Sequence, residues 1–184
     1  MRVYLTGFMA SGKTTVGPKA AARLGQPFLD LDRLIRAHEG RSIPTIFAED
    51  GEAAFRALET RALRRTADTD NLIVALGGGA LVDKDNRAFA KRHGRILYLE
   101  VDAETVLDRV GDKADQRPLL QDEAGAPLPR EKMKARIEQM MADRESSYAA
   151  AHATVDATQP VDAVVEAVVE AAREAEEDPT SGRA

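Results

Sequence analysis

The chain has 184 residues, 43% of them hydrophobic, enough for one domain of ordinary size to bury a core without covalent staples. It has no cysteine, which excludes disulfides, thiol nucleophiles and cysteine metal sites, and a net charge of -5 gives no global basic field for duplex nucleic acid. With no basic-then-apolar leader and no apolar run of membrane-spanning length, a soluble, cytoplasmic protein is expected, and a monomer.

In chain order, Val3-Tyr4-Leu5 reads as a strand running into Gly7-Phe8-Met9-Ala10-Ser11-Gly12-Lys13-Thr14. This satisfies Gly-x-x-x-x-Gly-Lys-[Ser/Thr] between a strand and a helix, the context of a phosphate-binding loop. Its candidate nucleotide contacts are Gly7, Ala10, Ser11, Gly12, Lys13, Thr14 and Thr15. Lys13 would reach the outer phosphates, and the Thr14 hydroxyl would take one position on Mg²⁺. The helix reads from Thr15 to Leu24, bent slightly at Pro18 and stopped by Gly25. Phe28 to Leu31 is a short strand, followed by a helix through Leu34 and Ile35. Asp30 and Asp32, two apart in extended chain, would share a face; the alternative is that they cap the helix.

Ser42 is placed to cap a short helix through Ile43, Ile46 and Phe47 that Gly51 ends. Glu52 to Arg65 is amphipathic, with Phe55, Leu58 and Leu63 inward and Arg56 and Glu59 elsewhere on its surface. Leu72 to Leu76 is an unbroken apolar run, as in a strand buried on both faces, and ends in Gly77-Gly78-Gly79. A helix begins near Asp83 or Asp85, a strand spans Arg95 to Glu100, and a helix spans Ala103 to Val110. Asp112 to Arg130 has no periodicity and holds Pro118, Gly125, Pro127 and Pro129, which reads as a functional lid. Glu131 to Tyr148 reads as one long charged helix, Ala153 to Val155 as the last strand and Val161 to Ala175 as the closing helix. Alternating strands and helices of this length predict an α/β domain with a parallel sheet over residues 1–175, and a polar, disordered tail from Glu176 to Ala184. His38, His93 and His152 are isolated from one another and from acidic pairs and receive no catalytic or metal role.

A phosphate-binding loop alone implies only a nucleoside triphosphate. The small size, the single insert and the lack of a guanine-reading Asn-Lys-x-Asp point to phosphoryl transfer onto a small acceptor. Along nearly its whole length the chain resembles the shikimate kinases: GFMASGKTTVG, DLD, SIPTIFAEDGEAAFRALE, GGG after a buried strand, RPLL in the insert and DRESSY late in the chain. That resemblance implies a three-layer P-loop kinase fold whose five-stranded parallel sheet has the order 2-3-1-4-5. It also implies transfer of the γ-phosphate of ATP, with Mg²⁺, to the 3-hydroxyl of shikimate on the way to chorismate.

The roles it implies are equally specific. Arg56 and Arg144 match a clamp on the shikimate carboxylate, Asp32 the group that orients the hydroxyl and takes its proton, and Asp30 a carboxylate meeting Mg²⁺ through water. Gly77, Gly78 and Gly79 match a close backbone approach to the ring. Arg117 matches an insert arginine that joins Lys13 over the phosphates, and Pro160 a flank of the adenine site. Three departures stand out: Pro18 and Lys19 follow Gly17 where many relatives have arginine, Thr14 replaces a commoner serine, and the insert is richer in acidic residues and proline. The other readings are a kinase of similar architecture acting on another polyol such as gluconate, and a nucleotide-dependent binding module without catalysis.

Overall fold

Strands buried on both sides sort their side chains by parity, and here that sorting builds two cores. Val3 and Leu5 of β1 (Val3–Thr6), Ile73 of β3 (Ile73–Ala75), and Leu97 and Leu99 of β4 (Arg95–Glu100) face one way. They meet Val16 and Ala20 of α1 (Lys13–Leu24), Val106 and Leu107 of α5 (Ala103–Val110), and Val165 and Val168 of α8 (Val161–Glu177). Tyr4, Val74 and Ile96 face the other way, onto Leu31 and Ile35 of α2 (Leu31–Glu39), Phe55 and Leu63 of α3 (Ile43–Arg65), and Phe89 of α4 (Lys84–His93). The edge strands are β2 (Phe28–Asp30) and β5 (Ala153–Asp156).

The computed structural model describes residues 1–111, 118–122 and 125–177. Its five-stranded sheet is parallel throughout with the order β2-β3-β1-β4-β5, as the resemblance implied. Leu5 of β1 pairs with Ala75 on one side and Leu97 on the other. The chain leaves β1 where connections diverge to either side of the sheet, the place where parallel sheets form ligand sites.

Local chemistry accounts for most departures from the sequence reading. Helix α1 begins at Lys13, two residues earlier than read, and runs through Pro18, where the Thr14 carbonyl loses its usual i+4 donor. Helix α2 begins directly after Asp30, whose side chain caps it by accepting from the Arg33 N–H at 2.9 Å. Asp30 and Asp32 therefore do not share a strand face: one ends a strand and the other lies in the first turn of a helix. Gly51, with φ 83° and ψ 173°, breaks α3 as read, and Ser42 caps its start. Arg41 fastens the arm before the break, pairing with Glu49 at 2.9 Å, Asp50 at 2.5 Å and Glu39 at 3.5 Å.

The expected long helix is instead α6 (Arg130–Ala142) and the single turn α7 (Glu145–Tyr148). Asp143 and Ser147 supply competing local bonds: Gln139 donates to the Asp143 carboxylate at 2.8 Å, and the Ser147 hydroxyl to the Arg144 carbonyl at 2.6 Å. Helix α8 continues to Glu177, past the expected start of the tail. Arg117 and the expected tail beyond Glu177 lie outside the described residues.

Gly17 shows how closely α1 is seated on the sheet. A Cβ there would stand 2.2 Å from Cε2 of Phe28. Overpacking of this kind costs about 1–3 kcal/mol. Gly17→Ala is expected to lower the urea midpoint with an unchanged m-value, and an unaltered midpoint would mean that the Phe28 ring yields freely.

Candidate active site

The loop after β1 opens a cleft of ≈ 550 Å³ at the carboxyl ends of the strands. Gly7 is required by contact: a Cβ would lie 2.6 Å from the Leu99 carbonyl oxygen and 2.7 Å from the Ser11 hydroxyl. Ala10 at φ 58° and Gly12 at φ 96° turn the chain into α1. The N-terminus of α1 has no side-chain cap and no acidic residue in its first turn, so its positive end lacks a counter-group from its own sequence. Lys13 Nζ arches back to the Gly7 carbonyl at 2.7 Å, the Phe8 carbonyl at 2.9 Å and the Ser11 hydroxyl at 3.3 Å. Ala10, Ser11, Gly12, Thr14 and Thr15 line the cleft beside it.

This uncapped, cation-flanked turn fits a polyphosphate. Among the described residues no group of three or more His, Cys, Asp or Glu side chains is placed to hold a metal alone. A metal here would come with a phosphate ligand, leaving Thr14 and Asp30, which both line the cleft, as the protein's oxygen donors.

The other half of the cleft carries charge shielded from water. Asp32 Oδ1 is buried with no hydrogen-bond partner, and so is Glu59 Oε1. Both crowd the same backbone: a Cβ on Gly77 would stand 2.4 Å from Glu59 Oε1 and 3.1 Å from Asp32 Oδ1. Burial pushes the Asp32 carboxyl above its ordinary value, and Asp30 adds to this, while Lys13, Arg36 and Arg56 oppose it. Burial likewise raises Glu59, against the pull of Arg56, with Asp32 adding to the rise.

Glu59 is a correction to the sequence reading. It is 1% exposed and faces the cleft rather than the outer surface of α3. The signal was present: Glu59 falls four residues after Phe55 and three before Ala62, within the buried stripe. Its Oε2 accepts from Arg56 Nη1 at 2.8 Å, and Glu52 accepts from Arg56 Nη2 at 3.1 Å. A Cβ on Gly79 would stand 2.8 Å from the Arg56 guanidinium. Arg144 enters from the break between α6 and α7, donating to the Gly78 carbonyl at 3.3 Å with its guanidinium carbon 5.4 Å from the Phe8 ring centre. Arg56, Arg144, Asp32 and the glycine triplet, far apart in sequence, thus share one cavity, walled by Ile43 and by Phe47 and Phe55, whose rings lie 4.7 Å apart.

At the opposite end, Arg109 is a lining residue that periodicity did not single out. It donates to the Ala10 carbonyl at 3.1 Å and the Ala157 carbonyl at 2.5 Å. Its place at the end of an amphipathic helix carries no signal beyond an ordinary last-turn cation. Gln159 and Val161 line the cleft on either side of Pro160. His152 has a structural role, its Nδ1 accepting from the Ile96 N–H at 2.9 Å.

A carboxyl that titrates above its ordinary value when folded favours folding at low pH and loses that contribution as pH rises through the elevated value. Ionised Asp32 therefore opposes folding at neutral pH. Asp32→Asn is expected to melt higher than the parent protein in neutral, ligand-free buffer, with the gap closing as pH falls below the carboxylate range. Equal melting curves at neutral pH would mean that Asp32 carries no such cost.

Comparison with known proteins agrees with this geometry. The family model described as shikimate kinase matches residues 9–173. The shikimate kinase of Salinibacter ruber is 66% identical over 154 residues, covering 84% of this chain and 76% of the relative; that of Chlorobaculum tepidum is 44% identical over 149 residues, covering 81% and 78%. The solved shikimate kinase from Acinetobacter baumannii, in complex with shikimate, superposes with a TM-score of 0.83 at 33% identity, covering 97% of this chain and 94% of that one. A family model spanning residues 9–173 and a relative 66% identical over 84% of the chain together place it in the shikimate kinase family.

Proposed function

We propose that this chain transfers the γ-phosphate of ATP to the 3-hydroxyl of shikimate, giving shikimate 3-phosphate and ADP. The observation that carries the reading is the shielded, unpartnered oxygen of Asp32 in a cleft that also holds the phosphate loop and two arginines. Arg56 already meets Glu52 and Glu59, whereas among the described residues Arg144 donates only to the Gly78 carbonyl, so a neutral polyol would leave Arg144 without a counter-charge and a cyclic acid with ring hydroxyls supplies one. Arg56 and Arg144 hold the carboxylate, Glu59 steadies Arg56, and Gly77, Gly78 and Gly79 admit the ring to the backbone. Ile43, Phe47 and Phe55 cover its apolar face.

Asp32 accepts the proton of the attacking hydroxyl as that oxygen bonds to the γ-phosphorus and the bond to the β-phosphate oxygen breaks. Lys13 exchanges its loop carbonyls for the outer phosphates. Thr14 and Asp30 would hold Mg²⁺, which would supply charge neutralisation on the phosphates. Arg117 adds positive charge there from the insert, residues 112–130. The anchoring of the described part of that insert supports this: Leu120 is fully buried, the Leu128 N–H donates to its carbonyl at 3.0 Å, and Leu119 lines the cleft. Pro160 flanks the adenine beside Arg109.

The assignment includes a single kinase domain over 1–175, monomeric and cytoplasmic, with small-molecule rather than nucleic-acid or membrane partners. Among the described residues no helix is long and apolar enough to cross a membrane.

A coupled assay with shikimate beside gluconate and nucleoside monophosphates tests the substrate. Shikimate alone is expected to turn over well; equal turnover of gluconate would overturn the assignment. Shikimate methyl ester should lose roughly thirtyfold or more in kcat/KM, because one side of a desolvated charge pair is removed. The kcat/KM profile should also fall on its acid side at a pH above the ordinary aspartate value, since Asp32 must be ionised and burial raises its pKa. Asp32→Asn should cut kcat about a hundredfold or more and leave ATP binding in place. Near-parental turnover by that variant would remove Asp32 from the proton transfer.

A further inference from the structure

The DRESSY stretch ends in Tyr148, a residue that none of these roles uses. Its side chain is 5% exposed, and its ring stacks on Tyr98 of β4 with centres 4.5 Å apart and planes within 9°. Its hydroxyl donates to the Gly78 carbonyl at 3.3 Å, the same oxygen that accepts from Arg144 at 3.3 Å. The two donors are one turn apart, joined by the Tyr148 N–H bond to the Arg144 carbonyl at 3.1 Å. Burial raises the pKa of the Tyr148 hydroxyl, against the pull of Arg144, so it stays a donor at neutral pH.

This double hold falls on backbone that has little intrinsic preference. Gly78 and Gly79 have no side chain to fix their peptide planes, and among the described residues their N–H groups meet no acceptor. Across a trans peptide the N–H points opposite to the preceding carbonyl. Whatever grips the Gly78 carbonyl therefore sets the direction of the Gly79 N–H in a cleft that both residues line. If Arg144 turns its N–H groups to an acceptor carboxylate, it gives up its share of that grip. The Tyr148 hydroxyl has no such competing duty.

Building on the shikimate reading, we propose that Tyr148 is a positioning residue for the acceptor: its hydroxyl holds the Gly78 carbonyl while Arg144 is engaged, and so keeps the Gly79 N–H presented to the substrate. Tyr148→Phe is the test. It deletes one oxygen, keeps the stack on Tyr98, and leaves Arg144 on the carbonyl of the free protein, so the melting temperature should stay close to that of the parent. KM for shikimate should rise about fivefold, the effect of one net hydrogen bond, with KM for ATP unchanged. In the ligand-free protein the Gly79 amide nitrogen resonance should shift, while that of Gly25, remote from the site, should not.

An unchanged KM for shikimate overturns the proposal. So does a lowered melting temperature with both KM values raised together, which is the mark of a merely structural tyrosine, and so does an unmoved Gly79 resonance. If the parent protein failed to phosphorylate shikimate, the substrate reading would fall, and the resonance comparison would still decide whether the hydroxyl governs the Gly78–Gly79 peptide.

Discussion

Three successive glycines can be approached from every side, and the acceptor half of the cleft is assembled around that property. A Cβ on Gly77 would meet two carboxylates, one on Gly78 would stand 3.4 Å from the Gly7 carbonyl oxygen and 3.3 Å from Arg144, and one on Gly79 would meet the guanidinium of Arg56. Groups from α2, α3, the phosphate loop and the break before α7 thus converge on one short backbone segment. A methyl group at Gly77 or Gly79 would run into Glu59 or Arg56 of α3, and one at Gly78 would crowd Arg144 and the Gly7 carbonyl. The site is defined as much by this absence of side chains as by the charges around it.

Those charges come at a cost that the fold meets locally. Two carboxylates lie close together out of water, and each keeps one oxygen without a partner. Arg56 satisfies part of Glu59 and lowers the repulsion felt by Asp32, yet burial still leaves both carboxyls raised. A group prepared to receive a proton is by the same physics an unfavourable one to bury ionised. On the proposed reading of Asp32 as proton acceptor, the stability it loses and the reactivity it gains have a common source.

Much of this was legible in the chain. The loop motif carries its own mechanism, and the unbroken apolar run of Leu72 to Leu76 announced a strand buried on both faces. The strand order came from the resemblance, since periodicity does not rank neighbours in a sheet. What periodicity hid follows from its averaging. Glu59 sits on an apolar stripe but scores as one more helical glutamate, and Arg109 looks like any cation in a last turn. The break at Arg144 depends on local side-chain bonds that a helical repeat does not register. Asp30 illustrates the converse: its capping bond was foreseeable as an alternative, and the structure has it both capping α2 and lining the cleft.

The break at Gly51 separates two duties that a continuous helix would have welded together. Ile43 and Phe47 stand on the arm before it, while Arg56 and Glu59 stand on the rod after it. The separation is partial, because Phe55, the third wall residue, stands on the rod beside Arg56, with its ring centre 4.7 Å from that of Phe47 across the bend. Arm and rod reach the same core, through Ile46 on the arm and Phe55, Ala62 and Leu63 on the rod, while the fan of ion pairs around Arg41, all within reach of solvent, ties the start of the arm to its end. Added salt screens the ion pairs and leaves the buried anchors of both segments largely alone. Ionic strength should accordingly loosen the ends of the arm while Ile46 and Phe55 keep their seats, so that the outer edge of the cleft answers to the solvent and the packing beneath it does not.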